Sequence, residues 1–148
     1  MKFYAPGDLT QESDLPALGE AASGIETTFH YAVSHDSDEN RKFVAAAEKA
    51  IGNPAELSFP SVGAYDGMHV IYKMIEATGG AQDAAKAVEA VKGLSWESPR
   101  GPVSIDANTR HMTQNIYLRT VEKDASGKWI NKETRTFENQ DDPGLKVQ

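Results

Sequence analysis

The sequence predicts an α/β chain that carries too few strands for its helices. Three observations lead there: a period-two segment over 25–33, three helix-period segments between residues 38 and 93, and a switch to extended, β-branched character after residue 94. Two early strands and a terminal β-hairpin cannot make a doubly wound sheet with helices on both faces. Part of the surface those helices rest on is therefore expected to lie elsewhere, in a longer protein.

Taken in order, Lys2–Ala5 predicts a buried strand running into a Pro6-Gly7-Asp8 turn. Ile25, Thr27, Phe29, Tyr31 and Val33 alternate with Glu26, Thr28, His30 and Ala32, the period of a strand with one buried face. Asp36-Ser37-Asp38-Glu39 supplies an N-cap acceptor with Glu39 at N3, after which Phe43, Val44, Ala47, Ala50 and Ile51 recur at helical spacing until Gly52-Asn53-Pro54. Residues 54–63, with Phe59, Pro60 and Gly63, read as a loop. Met68, Ile71, Tyr72 and Ile75, widened by Val70 and Met74, mark a second helix stopped at Gly79-Gly80. Ala84, Ala87, Val88 and Val91 give a third, small-faced helix ending at Gly93. Pro99, Gly101 and Pro102 make Leu94–Ile105 an extended excursion. Gln114–Lys123 and Lys128–Phe137, separated by Asp124-Ala125-Ser126-Gly127, predict a β-hairpin, and the polar residues from Glu138 a loosely held tail.

Composition narrows the function. One domain is the expectation for 148 residues, and 39% apolar residues suit a globular chain rather than a disordered one. Twenty-two acidic against fifteen basic residues give a net charge of −7, whose field repels phosphate backbones, so nucleic acid is not an expected partner. Without cysteine there is no thiolate site or disulfide, and His30, His35, His69 and His111 show no HxH or HExxH spacing for a metal. Pro6 interrupts any apolar run of the kind a secretory signal needs, so the sequence as it stands is expected to stay in the cytosol or to depend on a leader it does not carry. No run approaches the roughly 20 apolar residues that span a bilayer.

Six short motifs stand in a telling order: Gly7-Asp8-Leu9-Thr10, Leu15-Pro16-Ala17-Leu18-Gly19, Asn40-Arg41-Lys42-Phe43, Ala64-Tyr65-Asp66-Gly67-Met68, Ser98-Pro99-Arg100-Gly101-Pro102-Val103-Ser104-Ile105-Asp106 and Gln114-Asn115-Ile116-Tyr117. With them the chain, from about Phe3 to Pro143, resembles the C-terminal portion of the type I periplasmic substrate-binding proteins of the branched-chain amino acid (Leu/Ile/Val) ABC transporter class. The resemblance implies a fragment of a two-lobed α/β fold whose chain crosses three times between lobes. Such a receptor clasps one small ligand at the hinge and delivers it to a membrane permease, with no bond made or broken and no cofactor. Residues 1–31 would belong to the second lobe, 32–108 to the first-lobe helical segment, and 109–148 to a return segment with the hairpin. The full-length parent would be periplasmic. On that expectation the signal peptide and N-terminal portion of such a receptor would be missing from this sequence.

By the same resemblance Asp8 would receive a ligand's α-ammonium. A carboxylate beside a glycine turn at a strand's C-terminal end does face the crevice where open α/β sheets bind ligands; the alternative is an Asx-type turn with Thr10. The resemblance also places Phe59, Pro60 and Ser61, on the loop before the Ala64-Tyr65-Asp66-Gly67 helix, beside the ligand's side chain, whereas Phe59 could simply plug the core. Tyr65 and Asp66 open that helix and read as structural. Arg100 could pair a ligand carboxylate, but a turn brace or inter-lobe ion pair is the favoured role. His30 and Asp36 lack the third group an acid/base site needs. The expected function is thus the solute-binding part of an importer receptor for amino acids or related small carboxylates or amides. The alternative is a truncated α/β interaction module that binds no ligand and self-associates into a homo-oligomer through its exposed apolar faces.

Overall fold

A computed structural model of the chain describes residues 3–142 and residue 144. Strand β1 (Tyr4–Pro6) runs parallel to β2 (Glu26–Phe29), with Tyr4 level with Glu26 and Pro6 with Thr28. The connection between them is a 3-10 turn at Gly7–Thr10, a single helical turn α1 (Leu15–Leu18) and a second 3-10 turn at Gly19–Ala22. It is pinned by Leu15 and Ala22, which are buried with Val121, and by Asn131, which donates to the Thr10 carbonyl at 2.6 Å and accepts from the Thr10 hydroxyl at 2.9 Å.

After β2 the chain crosses to helix α2 (Asp38–Ile51). Ser37 caps it by accepting from the Asn40 amide, and Gly52 ends it at a φ of +79°. Asn40 itself is buried. It donates to the carbonyls of Val33 and His35 and accepts from the Tyr31 hydroxyl, so the helix start and the crossing segment are one hydrogen-bonded unit. Helix α3 (Phe59–Thr78) and the short α4 (Ala84–Ala90) follow, then β3 (Ser95–Ser98) and β4 (Gly101–Ile105), which form a hairpin about Pro99–Arg100. Strands β5 (Met112–Lys123) and β6 (Trp129–Gln140) form the long terminal hairpin. Its turn is built as expected: the Asp124 carboxylate accepts from Ser126 and Lys128 amides.

Strand β5 organises the sheet. One of its sides pairs with β6 along most of its length, while the other is shared, Met112–Gln114 pairing with β4 and Tyr117–Thr120 with β2. The sheet is therefore mixed and six-stranded, with β1–β2 its one parallel pair among the described residues. Two separate cores result. Leu15, Ala22 and Val121 form one, and Tyr31, Phe43, Leu57 and Val62 the other, beneath α2 and the start of α3. His35, on the crossing, bonds Glu133 of β6 at 2.8 Å.

Several expectations need correction. The opening strand is not buried: β1 is a sheet edge, with Phe3 and Tyr4 exposed, and Lys2 lies outside the described residues. The strand expected over 25–33 ends at Phe29, and the alternation breaks in the crossing, where Tyr31 and Ala32, from opposite sets of the pattern, are both buried. The loop over 54–63 is mostly helical. Pro54–Glu56 is a 3-10 turn, Ser58 caps α3 in a reciprocal capping box with Ser61, and Pro60 sits in the helix's first turn, where its missing N–H costs nothing. Tyr65 and Asp66 consequently lie inside α3 and do not open it. Leu94–Ile105 contains the β3–β4 hairpin, and β6 carries the polar tail's start as far as Gln140; residues 145–148 lie outside the described residues.

Candidate functional site

The parallel register of β1 and β2 decides which residues share the C-terminal edge of the sheet. With Pro6 level with Thr28, Gly7 comes level with Phe29, and Asp8 and His30 follow at the same end. Gly7 is buried and has no room for a side chain, since a Cβ there would overlap Phe29 and approach the Arg119 guanidinium to 2.5 Å. Arg119 is 1% exposed. It donates to the carbonyls of Gly7 at 2.8 Å and Tyr31 at 2.7 Å and to the Thr27 hydroxyl, and its guanidinium lies 5.1 Å from the Phe29 ring centroid. No carboxylate among the described residues is hydrogen-bonded to it. Burial pushes its pKa down.

On this base stands an aromatic cluster. Phe59, the first residue of α3, meets Phe29 edge-on with centroids 5.1 Å apart, and the His30 ring lies 4.6 Å from Phe29 and 6.0 Å from Phe59. Burial, and then the positive charges of Arg100 and Arg119, hold the His30 pKa down at about 4, with Asp66 opposing, so the imidazole is neutral at pH 7. His30 makes no hydrogen bond among the described residues.

Of the residues expected at a ligand site, Asp8 is exposed in the turn after β1 and its carboxylate is unpartnered among the described residues. The Asx turn with Thr10 does not form: among the described residues the Asp8 carboxylate accepts no bond from the Thr10 amide. Phe59 and Pro60 sit on the first turn of α3, Phe59 half-buried and Pro60 exposed, and the Ser61 hydroxyl accepts from the Ser58 amide while bordering a groove of about 490 Å³ along α3 with Tyr65, Met68 and Tyr72. The structure thus brings Phe59 together with Gly7 through Phe29, and Asp8 lies one residue beyond. Asp36 is far from any such role: it pairs with Arg41 on the surface.

Arg100 braces the structure. Its Nε donates to Asp66 at 2.8 Å, and Asp66, 2% exposed, also accepts from the Trp96 indole at 3.1 Å and the Ser98 hydroxyl at 3.0 Å, tying α3 to the β3–β4 hairpin. A further Arg100 nitrogen donates to Gln114. Sequence reasoning missed Phe29, His30 and Arg119 as site residues. The one available signal was Gly7, whose place directly after a strand marks a close backbone approach. Among the described residues no group of His, Asp and Glu is arranged to hold a metal, and no helix is long and apolar enough to cross a membrane.

Known proteins share this fold. The chain is 77% identical, over all of its 148 residues, to Leu/Ile/Val-binding protein homolog 6 of Brucella abortus (strain 2308), and spans 38% of that protein's length. A solved solute binding protein of an ABC transporter from Rhodopseudomonas palustris HaA2, in complex with p-hydroxybenzoic acid, superposes with a TM-score of 0.95 at 55% identity, covering 100% of this chain and 40% of that one. A second, from Rhodopseudomonas palustris BisB5 in complex with 3,4-dihydroxybenzoic acid, gives 0.88 at 43% identity, covering 97% and 39%. Residues 1–128 match the sequence profile described as periplasmic binding protein. With a profile match over most of its length and this fold, the chain belongs to the periplasmic binding protein family.

Proposed function

We propose that this chain is the C-terminal, ligand-clasping portion of a periplasmic receptor that feeds an ABC importer's membrane permease, and that its solute is a small planar aromatic carboxylate. The observation that carries this reading is the Phe29–His30–Phe59 cluster at the C-terminal ends of two parallel strands, beside the free Asp8 carboxylate. Aromatic edges and faces suit a flat ring. Phe59 and Pro60 supply the wall, Ser61 borders it, and Asp8 accepts a hydrogen bond from a ring hydroxyl. Residues 1–31 and 109–148 belong to one lobe on this reading and 32–108 to the other, with β5 spanning both. The work is binding and release rather than catalysis. Support for a longer parent comes from α3, whose Tyr65, Met68, Ile71, Tyr72 and Ile75 are 43–57% exposed, an apolar face that this chain leaves uncovered.

The unpaired Asp8 carboxylate, together with the name of the Brucella relative, favours a second reading, an aliphatic amino acid whose ammonium rests on Asp8. Calorimetric titration of the full-length receptor with 4-hydroxybenzoate, 3,4-dihydroxybenzoate, leucine, isoleucine and valine separates the two. Heat from the aromatic acids alone is expected, with Asp8→Ala weakening the hydroxylated acids and leaving the fold intact. Binding of the aliphatic amino acids alone would replace the first reading by the second. Silence throughout would overturn both.

A further inference from the structure

Resting on the proposed aromatic-carboxylate reading, we infer that His30 is the residue that recognises the ligand's carboxylate, donating a ring N–H to it while Phe29 and Phe59 hold the ring. The geometry points there first. His30 is the residue just past the C-terminal end of β2, level with the turn that carries Asp8, and its imidazole stands in contact with both phenyl rings that would flank a planar ligand. It is half-buried, neither nitrogen has a partner among the described residues, and neither is sealed from the surface, so a ligand can reach both. The charged side chains whose fields reach it are hydrogen-bonded elsewhere. Arg119 spends its donors on Gly7, Thr27 and Tyr31, Arg100 on Asp66 and Gln114, and Asp66 on Trp96, Ser98 and Arg100.

The charges fix which ligand group meets His30. Arg100 and Arg119 place positive potential on the ring, the same field that disfavours its protonation, and Asp66 only partly offsets it. A neutral imidazole in a positive field is a poor partner for an ammonium and a good donor to an anion. Both guanidiniums contribute, Arg100 more than Arg119, and although Arg100 is paired with Asp66 the field on the ring stays positive. The ligand's hydroxyl, where it has one, then points away from His30.

The test is affinity by calorimetry in the full-length receptor for benzoate and 4-hydroxybenzoate, using wild type, His30→Leu and His30→Gln, with circular dichroism melting to establish that each variant folds. His30→Leu is expected to weaken both acids equally, by about ten- to a hundredfold, the loss of one hydrogen bond to a charged group. His30→Gln retains an N–H donor and is expected to stay within about threefold of wild type. Unchanged affinity in folded His30→Leu, or an equal loss in both variants, overturns the assignment, and a loss for 4-hydroxybenzoate alone shows that His30 meets the hydroxyl and overturns it too. Wild type that binds neither acid overturns the proposed function and this inference with it, so the two failures are told apart.

Discussion

Asp66 shows at the level of one side chain how the helical part is fastened to the sheet. Its carboxylate is the common acceptor for Trp96, Ser98 and Arg100, and all four are buried or half-buried, so removing it leaves a guanidinium, an indole N–H and a hydroxyl without their acceptor. Breaking a buried pair from one side typically costs about 3–5 kcal/mol, a large part of the about 5–15 kcal/mol that keeps a domain folded. Asp66→Ala is therefore expected to lower the urea midpoint severely, whereas Asp36→Ala, whose pair with Arg41 is exposed, should leave it within experimental error. His30 gives a second residue-scale expectation. Unfolded, it titrates near 6.5; folded, near 4. Between those values the unfolded chain holds the extra proton, so this residue's contribution to stability is complete above about pH 6.5 and is lost as pH falls toward 4. Urea unfolding of wild type and His30→Gln across that window should show a steeper acid loss for wild type; parallel curves would contradict a buried neutral His30.

Among the elements, the β3–β4 hairpin turns on Gly101, which has a φ of +95° and whose absent Cβ would sit 2.5 Å from the Tyr117 hydroxyl. That hydroxyl donates to the Arg100 carbonyl at 2.7 Å, so the turn, β5 and the Asp66 network share one fixed point. Gly101→Ala combines a left-handed backbone with overpacking and is expected to cost about 1–3 kcal/mol, while Gly67→Ala, in open space within α3, should stabilise this chain by about 0.5–1 kcal/mol. Chemical denaturation of the two variants should thus move in opposite directions. Legibility in the sequence divides along the same physical lines. Local signals read correctly or to within one residue: the start of α2, with Glu39 taken as N3 and the cap found at Ser37, the stops at Gly52 and Gly79, the Asp124–Gly127 turn and the β-branched, aromatic run of β5 all depend on neighbours within a few positions. Prolines misled in two places. Pro60 looked like loop punctuation and lies in a helix's first turn, so Asp66, expected to open α3, is in its interior, and Pro99 and Pro102 hid a hairpin whose turn contains Pro99. At the site, Gly7-Asp8 was visible because a glycine after a strand has a stated physical reason. Arg119 was not, because its partners are backbone carbonyls 88 and 112 positions away, and no side-chain pattern encodes them.

For the whole molecule, the uneven coverage of its helices is the feature with the largest consequence. The inner side of α3 is closed by Val62 and Asp66, but Tyr65, Met68, Ile71, Tyr72 and Ile75 stay exposed beside a groove of about 490 Å³. Exposed apolar area of this extent drives association unless something covers it. On the proposed reading the remaining length of the receptor covers it, and the same residues then play opposite parts in two settings. In the 148-residue chain alone, Ile71→Glu with Tyr72→Glu removes sticky surface, so light scattering should report less association at equal concentration, with helical circular dichroism unchanged. In the full-length receptor the same pair introduces two charges against a packed neighbour, and burial of unpaired carboxylates should lower the melting temperature markedly. Opposite signs in the two settings would identify the α3 face as an internal surface of a larger receptor. A pair that is neutral in the long protein and dissociating in the short one would instead assign that face to self-association.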